Sequence, residues 1–357
     1  MGCSVSVPQL VWRTNMPSCR TVWGQFFFGV FLLRPSCKCR AMTQLCSLDG
    51  TPISRFAFGT MQFGGAADES ASAAMFNANL DAGITHFDTA HLYTDGASET
   101  ILGRLIKPHR DRLVIATKIG YRCPDNLADL RDAFDVSRKR LDQDMVDILY
   151  LHRFNPNLSI EAQITTLAAM QDEGAVRYLA LSNFAAWQVM KAQAVAQTMG
   201  TRIDVIQPMY SLVKRQAEVE LLPMCAAENI LAATYSPLGS GLLTGKYRTG
   251  KDGPGETGRL TRDPRYAARY GQDWMHTAAA GLCEIAQDLG THPATLAVAW
   301  AAAHPTRPAP ILSARALDQL APSLDGVNYP MTSELYRRIT ALTPTPPPAT
   351  DRIEEHV

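Results

Sequence analysis

The sequence predicts an α/β protein, a closed (β/α)8 TIM barrel with an N-terminal β-hairpin and a long loop after strand 7. Three observations carry the prediction. From Phe56 onward short β-rich runs alternate with longer helical stretches, the pattern of parallel strands joined by helical crossovers. There are eight such runs, and the first six intervals between their starts are 26 to 35 residues, enough for one strand, one helix and two loops. No GxGxxG follows the first run, where the sequence is Phe58-Gly59-Thr60-Met61-Gln62-Phe63-Gly64-Gly65. That spacing lacks the turn that cradles pyrophosphate in a doubly wound sheet, so the barrel is preferred.

The runs are 57–61, 84–87, 113–117, 148–151, 179–181, 205–206, 231–235 and 310–312. Stretches 70–82, 129–141, 160–173 and 185–199 carry apolar residues at helical spacing and predict the outer ring. Asp49-Gly50 between two short apolar segments reads as a hairpin turn, placed to plug the barrel floor. The seventh interval is 79 residues long. It holds a loop rich in glycine and charge, 245–265, and two helical stretches, 274–289 and 293–304. Insertions of that length are usually functional.

Composition bounds the partners. The chain has 357 residues, 46% of them apolar and 19% charged, and Lys+Arg balances Asp+Glu at 34 each. A zero net charge gives no electrostatic reason to expect nucleic acid. The balance hides an asymmetry, because no acidic residue precedes Asp49 while Arg13, Arg20, Arg34, Lys38 and Arg40 make the first 41 residues +5. Residues 42–357 are therefore read as one barrel domain and 1–41 as a separate extension. Its apolar run 23–33 is too short for a membrane-spanning helix. The extension has three readings: a targeting peptide directing the chain to an organelle, an acylated N-terminus through Gly2, Ser6 and Cys3, or an unstructured leader ahead of a start near Met42. The third is favoured, because fold-like patterning begins only at 45–58. Cys123, Cys225 and Cys283 are scattered and no CxxC pair is present, so neither a disulfide framework nor a zinc site is expected. The barrel reads as a cytoplasmic protein.

In an α/β barrel the active site lies at the C-terminal ends of the strands. Asp88 ends the second run, with Tyr93 in the same loop; Lys118 follows the third and His152 the fourth. The next three runs end at Ser182-Asn183, Gln207 and Tyr235-Ser236. Taken singly, each of these residues has a bland reading as a cap, an ion pair or packing. Together, an acid, a phenol, an amine and an imidazole on one rim point to catalysis. A phenol titrates near 10, and an adjacent ammonium favours the phenolate, so Lys118 is expected to lower the pKa of Tyr93. Asp88 would hold the amine in a buried salt bridge, and His152 would hydrogen-bond a substrate oxygen. Such a set protonates a carbonyl oxygen.

These residues sit in longer motifs: Asp88-Thr89-Ala90 with Tyr93, Ala116-Thr117-Lys118, Leu151-His152-Arg153, Leu181-Ser182-Asn183-Phe184, Gln207-Pro208-Met209-Tyr210, and Tyr235-Ser236-Pro237-Leu238 running into Gly241-Leu242-Leu243-Thr244-Gly245-Lys246-Tyr247. Over residues 45–354 the chain thereby resembles the aldo-keto reductases, and most closely the bacterial-type branch with a long seventh loop. The resemblance implies NADPH-dependent reduction of a small-molecule aldehyde or ketone, with NADP+ as the product cofactor. It makes Tyr93 the general acid, Lys118 and Asp88 its tuning pair and His152 the orienting group. Ser182, Asn183 and Gln207 would hold the carboxamide and Tyr235 would stack on the nicotinamide. Ser236, Leu238, Ser240 and Lys246 would hold the pyrophosphate, and Gly59, Thr60, Met61, Asp88, Pro237 and Gly241 would complete the cofactor-binding set. Ser313-Ala314-Arg315 stands where the family has Gly-Ala/Ser-Arg/Thr, and Arg315 falls in register to meet a 2′-phosphate. Gln319 is retained at the adenine end, but Pro322 and Ser323 replace the Glu and Asn that often contact adenine.

Two other classes share these features. One is a cofactor-binding regulatory subunit with little turnover, since the fold and tetrad occur in ion-channel-associated proteins. The other is an isomerase or aldolase using Lys118 as a Schiff base. Deleting residues 1–41 is expected to leave melting temperature and activity unchanged, as a calorimetric and kinetic comparison with the full chain would read; a drop of several degrees would show that the leader packs.

Overall fold

Eight parallel strands close on themselves in chain order, each hydrogen-bonded to the next and the eighth to the first. They are β1 (Ala57–Gly59), β2 (His86–Asp88), β3 (Val114–Ile119), β4 (Val146–Leu151), β5 (Val176–Ser182), β6 (Ile203–Gln207), β7 (Leu231–Thr234) and β8 (Ala309–Leu312). The computed structural model describes residues 45–247, 258–352 and 354. The expected leader 1–41 and positions 248–257 of the long loop lie outside the described residues.

Between the strands run α1 (Glu69–Asp81), α2 (Ala97–Ile106), α3 (Ala128–Leu141), α4 (Ile160–Asp172), α5 (Ala186–Thr198) and α6 (Leu221–Glu228). After β7 come α7 (Arg259–Arg262), α8 (Pro264–Tyr270), α9 (Asp273–Asp288) and α10 (Pro293–Ala302), and after β8 come α11 (Leu317–Asp325) and α12 (Ser333–Thr340). Several begin where side chains satisfy free N–H groups: Asp68 accepts from Ala71 N, Ser159 from Ala162 N and Thr332 from Leu335 N. Two differences from expectation have physical causes. The buried face of α2 includes Ser98, Glu99 and Gly103, which breaks the apolar period that announces a helix. Gly103 is needed there because a Cβ would fall 2.5 Å from Leu141 O of α3. Within the expected loop 245–265, α8 starts on an Asp263 cap followed by Pro264, signals that work without an apolar stripe.

Strand alternation sorts the core into two layers. Phe58, Phe87, Ile115, Leu149 and Leu179 point outward under the helices. Ala57, Val114, Ala116, Ile148, Tyr150, Ala180, Val205, Ala233 and Ile311 fill the barrel. Register carries two polar groups into that inner layer. His86 lies beside Ala57 and Val114, and Asp88 lies one step higher between Gly59 and Ala116. Small neighbours leave room for the carboxylate and for Lys118, which is in register with Tyr150.

The opposite end is closed as the sequence suggests. A turn with Ser47 N bonded to Thr51 O and Ile53 N to Leu45 O makes a small hairpin, and Leu45 and Ile53 pack on the inner cluster. Tyr178 Oη takes a hydrogen bond from Cys46 N, and Arg177 donates to Cys46 O at 2.8 Å. Arg177 also pairs with fully buried Asp147, which accepts from Ile115 N and from Arg110 as well. The floor is therefore both plugged and electrostatically pinned.

Candidate active site

The C-terminal rim brings Asp88, Tyr93, Lys118 and His152 together. Lys118 Nζ lies 2.5 Å from Asp88 Oδ2, donates to Thr89 O at 2.7 Å and to Tyr93 Oη at 3.3 Å. The amine is fully buried, and its ammonium stands 4.8 Å from the Tyr93 ring centroid. His152 meets Tyr93 edge-on at 5.9 Å and Tyr121 at 4.9 Å. The remaining rim residues are tied to the tetrad by one hydrogen-bonded chain. Gln207 Nε2 donates to Asp88 Oδ1 at 2.9 Å, Ser182 Oγ to Gln207 O at 3.0 Å, and Asn183 Nδ2 to Ser182 Oγ and to His152 O. Tyr235 Oη donates to Asn183 Oδ1 at 2.7 Å. Asn183 has φ 59°, a left-handed turn that asparagine tolerates and that aims its amide across the rim.

Electrostatics divides the labour. Burial pulls the Lys118 pKa down, but Asp88 and Tyr93 outweigh it, and the net shift is upward. The ammonium stays charged. A nucleophilic, neutral Lys118 is thereby disfavoured, and its side chain is sealed from the cleft, so a Schiff-base role has no support. Burial, aided by Lys118 and Arg153, drops the His152 imidazole to about 2. It is neutral near pH 7 and so suited to hydrogen bonding rather than to carrying a charge. For Tyr93 the structure corrects the sequence-based expectation: burial raises the phenol above 10 and Lys118 offsets it only in part. The cause is desolvation of the phenolate, which exceeds the attraction of one ammonium already paired with Asp88. Tyr93 therefore holds a proton near neutrality, while Lys118 stands ready for the charge left when that proton departs.

A single cleft of about 1630 Å³ begins at the tetrad and runs along the rim. Its near end is lined by Gly59, Met61, Asp88, Tyr93 and His152 together with Ser182, Asn183, Gln207 and Tyr235. Ser236, Pro237, Leu238, Ser240, Gly241 and Lys246 follow, and Ser313, Ala314, Arg315 and Gln319 line the far end. Pro322 and Ser323 line that end too. Thr60 is the exception among the expected contacts. Its hydroxyl is turned away, fully buried, onto Ser98 Oγ at 2.8 Å and Asp88 O at 3.3 Å. Lys118 does not line the cleft either; its Nζ bonds to two residues that do, Asp88 and Tyr93.

Residues that the sequence did not single out complete the wall: Tyr121, Phe154, Arg259, Arg265, Tyr266 and Arg269. Tyr121 and Phe154 follow strands β3 and β4 closely enough for the rim rule to have found them. Arg259 to Arg269 sit on α7 and α8, where only charge in the long loop hinted at a role. Neither Trp187 nor Trp274 is among the lining residues; Trp187 instead packs edge-on against Phe154 at 6.3 Å.

The cleft has the shape and charge that a nicotinamide dinucleotide needs. It is larger than an ordinary small-molecule pocket of about 300–1000 Å³, and away from Asp88 its lining carries Arg153, Lys246, Arg259, Arg265, Arg269 and Arg315 against Asp318. Gly241, at φ 93°, forms a cradle: a Cβ there would lie 2.9 Å from Lys246 Cε, so only glycine lets the lysine lie across the turn.

Comparison with known proteins agrees with this geometry. Residues 55–344 match the profile of the Aldo/keto reductase family. The chain is 29% identical to the uncharacterized oxidoreductase YrpG of Bacillus subtilis, over 83% of this chain and 94% of that protein. It is 30% identical to a probable voltage-gated potassium channel subunit beta of Oryza sativa subsp. japonica, over 85% and 96%. It is 38% identical to human aflatoxin B1 aldehyde reductase member 4, over 57% and 63%. The structure of a glycerol dehydrogenase from Gluconobacter oxydans superposes with TM-score 0.69 at 25% identity, covering 83% of this chain and 95% of that one.

The buried imidazoles set a pH dependence. His86, with both ring nitrogens buried and unpartnered, is pushed by burial from 6.5 to about 4. Below about 6.5 the unfolded chain takes up protons that folded His86 and His152 refuse, so stability is expected to fall as pH drops from about 6.5 towards 4. Urea midpoints measured across that range should decline, and His86→Leu should flatten the decline; an unchanged slope would contradict the assignment.

Proposed function

The chain belongs to the aldo/keto reductase family, and from that premise we propose that it reduces aldehydes or ketones to alcohols with NADPH, using Tyr93 as the general acid. Bound in the cleft, the nicotinamide cofactor supplies a hydride; everything else falls to the chain's own residues. His152, neutral and on the rim, donates a hydrogen bond to the carbonyl oxygen and holds it beside Tyr93. As negative charge builds on that oxygen, Tyr93 Oη delivers its proton, and Lys118, 3.3 Å away, stabilises the phenolate. Asp88 fixes the amine in place. The observation that carries the reading is the division of pKa values within the tetrad: of Tyr93, Lys118 and His152, only Tyr93 is both protonated near neutrality and open to the cleft.

Ser182, Asn183 and Gln207 form a fixed polar edge suited to a carboxamide, and Tyr235 offers a ring held by its bond to Asn183. Lys246 and the turn at Ser236–Gly241 would meet the pyrophosphate, and Arg315 a 2′-phosphate. The rice relative, whose name is that of a probable channel subunit, keeps open a second reading for this chain, a cofactor-binding regulatory subunit with little turnover. It is the turnover number on carbonyl substrates that separates the two.

Two measurements test the proposal. Tyr93→Phe is expected to lower carbonyl reduction by about 10² to 10⁴ while leaving NADPH binding intact; near-native turnover would remove Tyr93 from the role. Arg315→Ala is expected to weaken NADPH by roughly ten- to a hundredfold and NADH much less. Fluorescence titration of both cofactors reads this, and an equal loss for the two would refute the phosphate contact.

A further inference from the structure

The backbone that carries Tyr93 is held in an unfavourable shape. Thr94, Asp95 and Gly96 follow it with φ of 47°, 52° and 96°, three consecutive left-handed residues of which only the last is glycine. Such a run persists only where the surroundings over-determine it. One side is pinned by Thr94, whose Oγ1 donates to Phe63 O at 2.7 Å and accepts from Ser98 N at 3.0 Å.

The other side is covered by a guanidinium. Arg140 of α3 donates from Nη1 to His91 O at 2.9 Å and to Glu99 Oε2 at 3.3 Å. A Cβ on Gly96 would fall 2.3 Å from Arg140 Cζ, so the arginine fills the space where a side chain would stand. Glu99 is fully buried on α2, and its other oxygen accepts from Thr117 Oγ1 at 2.6 Å. Thr117 immediately precedes Lys118, and His91 N in turn donates to Lys118 O at 3.0 Å. His91 Nδ1 lies 3.2 Å from Ser137 Oγ of α3. One ion pair, its carboxylate buried and its guanidinium partly exposed, thus joins the loop bearing the phenol to the strand bearing the amine.

We infer that Arg140 and Glu99 are positioning residues that hold the Tyr93 hydroxyl at bonding distance from Lys118. Neither lines the cleft, so neither touches substrate or cofactor. The inference rests on Tyr93 being the proton donor. If the pair loosens, the left-handed turn relaxes and the phenol leaves the ammonium, which slows proton delivery without changing the cofactor's contacts. A displacement of about 1 Å at a reacting group is enough to lower a rate by about a hundredfold.

Removing Arg140 alone would strand a buried carboxylate and endanger folding. The test therefore uses Glu99→Gln combined with Arg140→Met, which removes both charges, and separately Arg140→Lys, which keeps a cation beside Glu99. The full chain is assayed with NADPH and 4-nitrobenzaldehyde, and NADPH affinity is read by fluorescence. The double variant is expected to lose about ten- to a hundredfold in kcat with cofactor Kd unchanged, and Arg140→Lys to recover part of that rate. In a Tyr93→Phe background both changes should cost nothing further, because the group they position is gone. Native kcat in the folded Arg140 variants, or the same loss in both backgrounds, overturns the inference while leaving Tyr93 as the acid. Native turnover in Tyr93→Phe alone overturns the reading of Tyr93, and the inference with it.

Discussion

A charged amine sealed inside the barrel rim is the constraint around which the site is organised. An ammonium taken out of water is costly unless it is paired and hydrogen-bonded, and removing the partner of a buried ion typically costs about 3–5 kcal/mol. Lys118 meets that demand with three acceptors: Asp88, Thr89 O and Tyr93 Oη. Satisfying the lysine therefore fixes the phenol. The same carboxylate takes its other hydrogen bond from Gln207, so the arrangement that stabilises the amine also orients the edge where a carboxamide would sit.

The fold makes this affordable by keeping the charged groups of the barrel interior at the rim. Below the rim the barrel is filled by Ala57, Val114, Ile148, Val205 and Ile311 and stoppered by Leu45 and Ile53. Gly59 and Ala116 flank Asp88 and concede the volume that the ion pair occupies. Outside the barrel, α2 and α3 cross closely enough at Gly103 to bring Glu99 and Arg140 behind the Tyr93 loop. His86 is the one imidazole left in the apolar layer without a hydrogen bond among the described residues, and its depressed pKa is the consequence.

What the sequence disclosed follows from where the signals live. Strand alternation and spacing are local, so all eight strands were legible, although their ends shift: β3 and β6 run two residues and one residue past their apolar runs through Lys118 and Gln207, β4 and β5 start two and three residues earlier, and β1 and β7 stop short. The tetrad and carboxamide positions were legible as rim residues because they lie at or just after strand ends, Tyr93 alone standing further out in the loop after β2. Thr60 was expected beside Gly59 and Met61, which do line the cleft, but the structure turns its hydroxyl onto Ser98, away from it. The direction of the Tyr93 shift was missed because sequence shows the ammonium but not the depth of burial that opposes it. The buried polar face of α2 and the Arg140–Glu99 pair were invisible, since polar residues on a buried helix face read as solvent-facing until their partners are known.

The central claim, that the Lys118 charge sets the proton affinity of Tyr93 during carbonyl reduction, is tested most directly by the pH dependence of kcat/KM in the native protein and in Lys118→Met. Reduction needs the phenol protonated, so the rate falls as pH rises through its pKa. Lys118 pulls that pKa down against the effect of burial. Without the ammonium the falling limb should move to higher pH and the plateau below it should drop; an unmoved limb with an undiminished plateau would contradict the account.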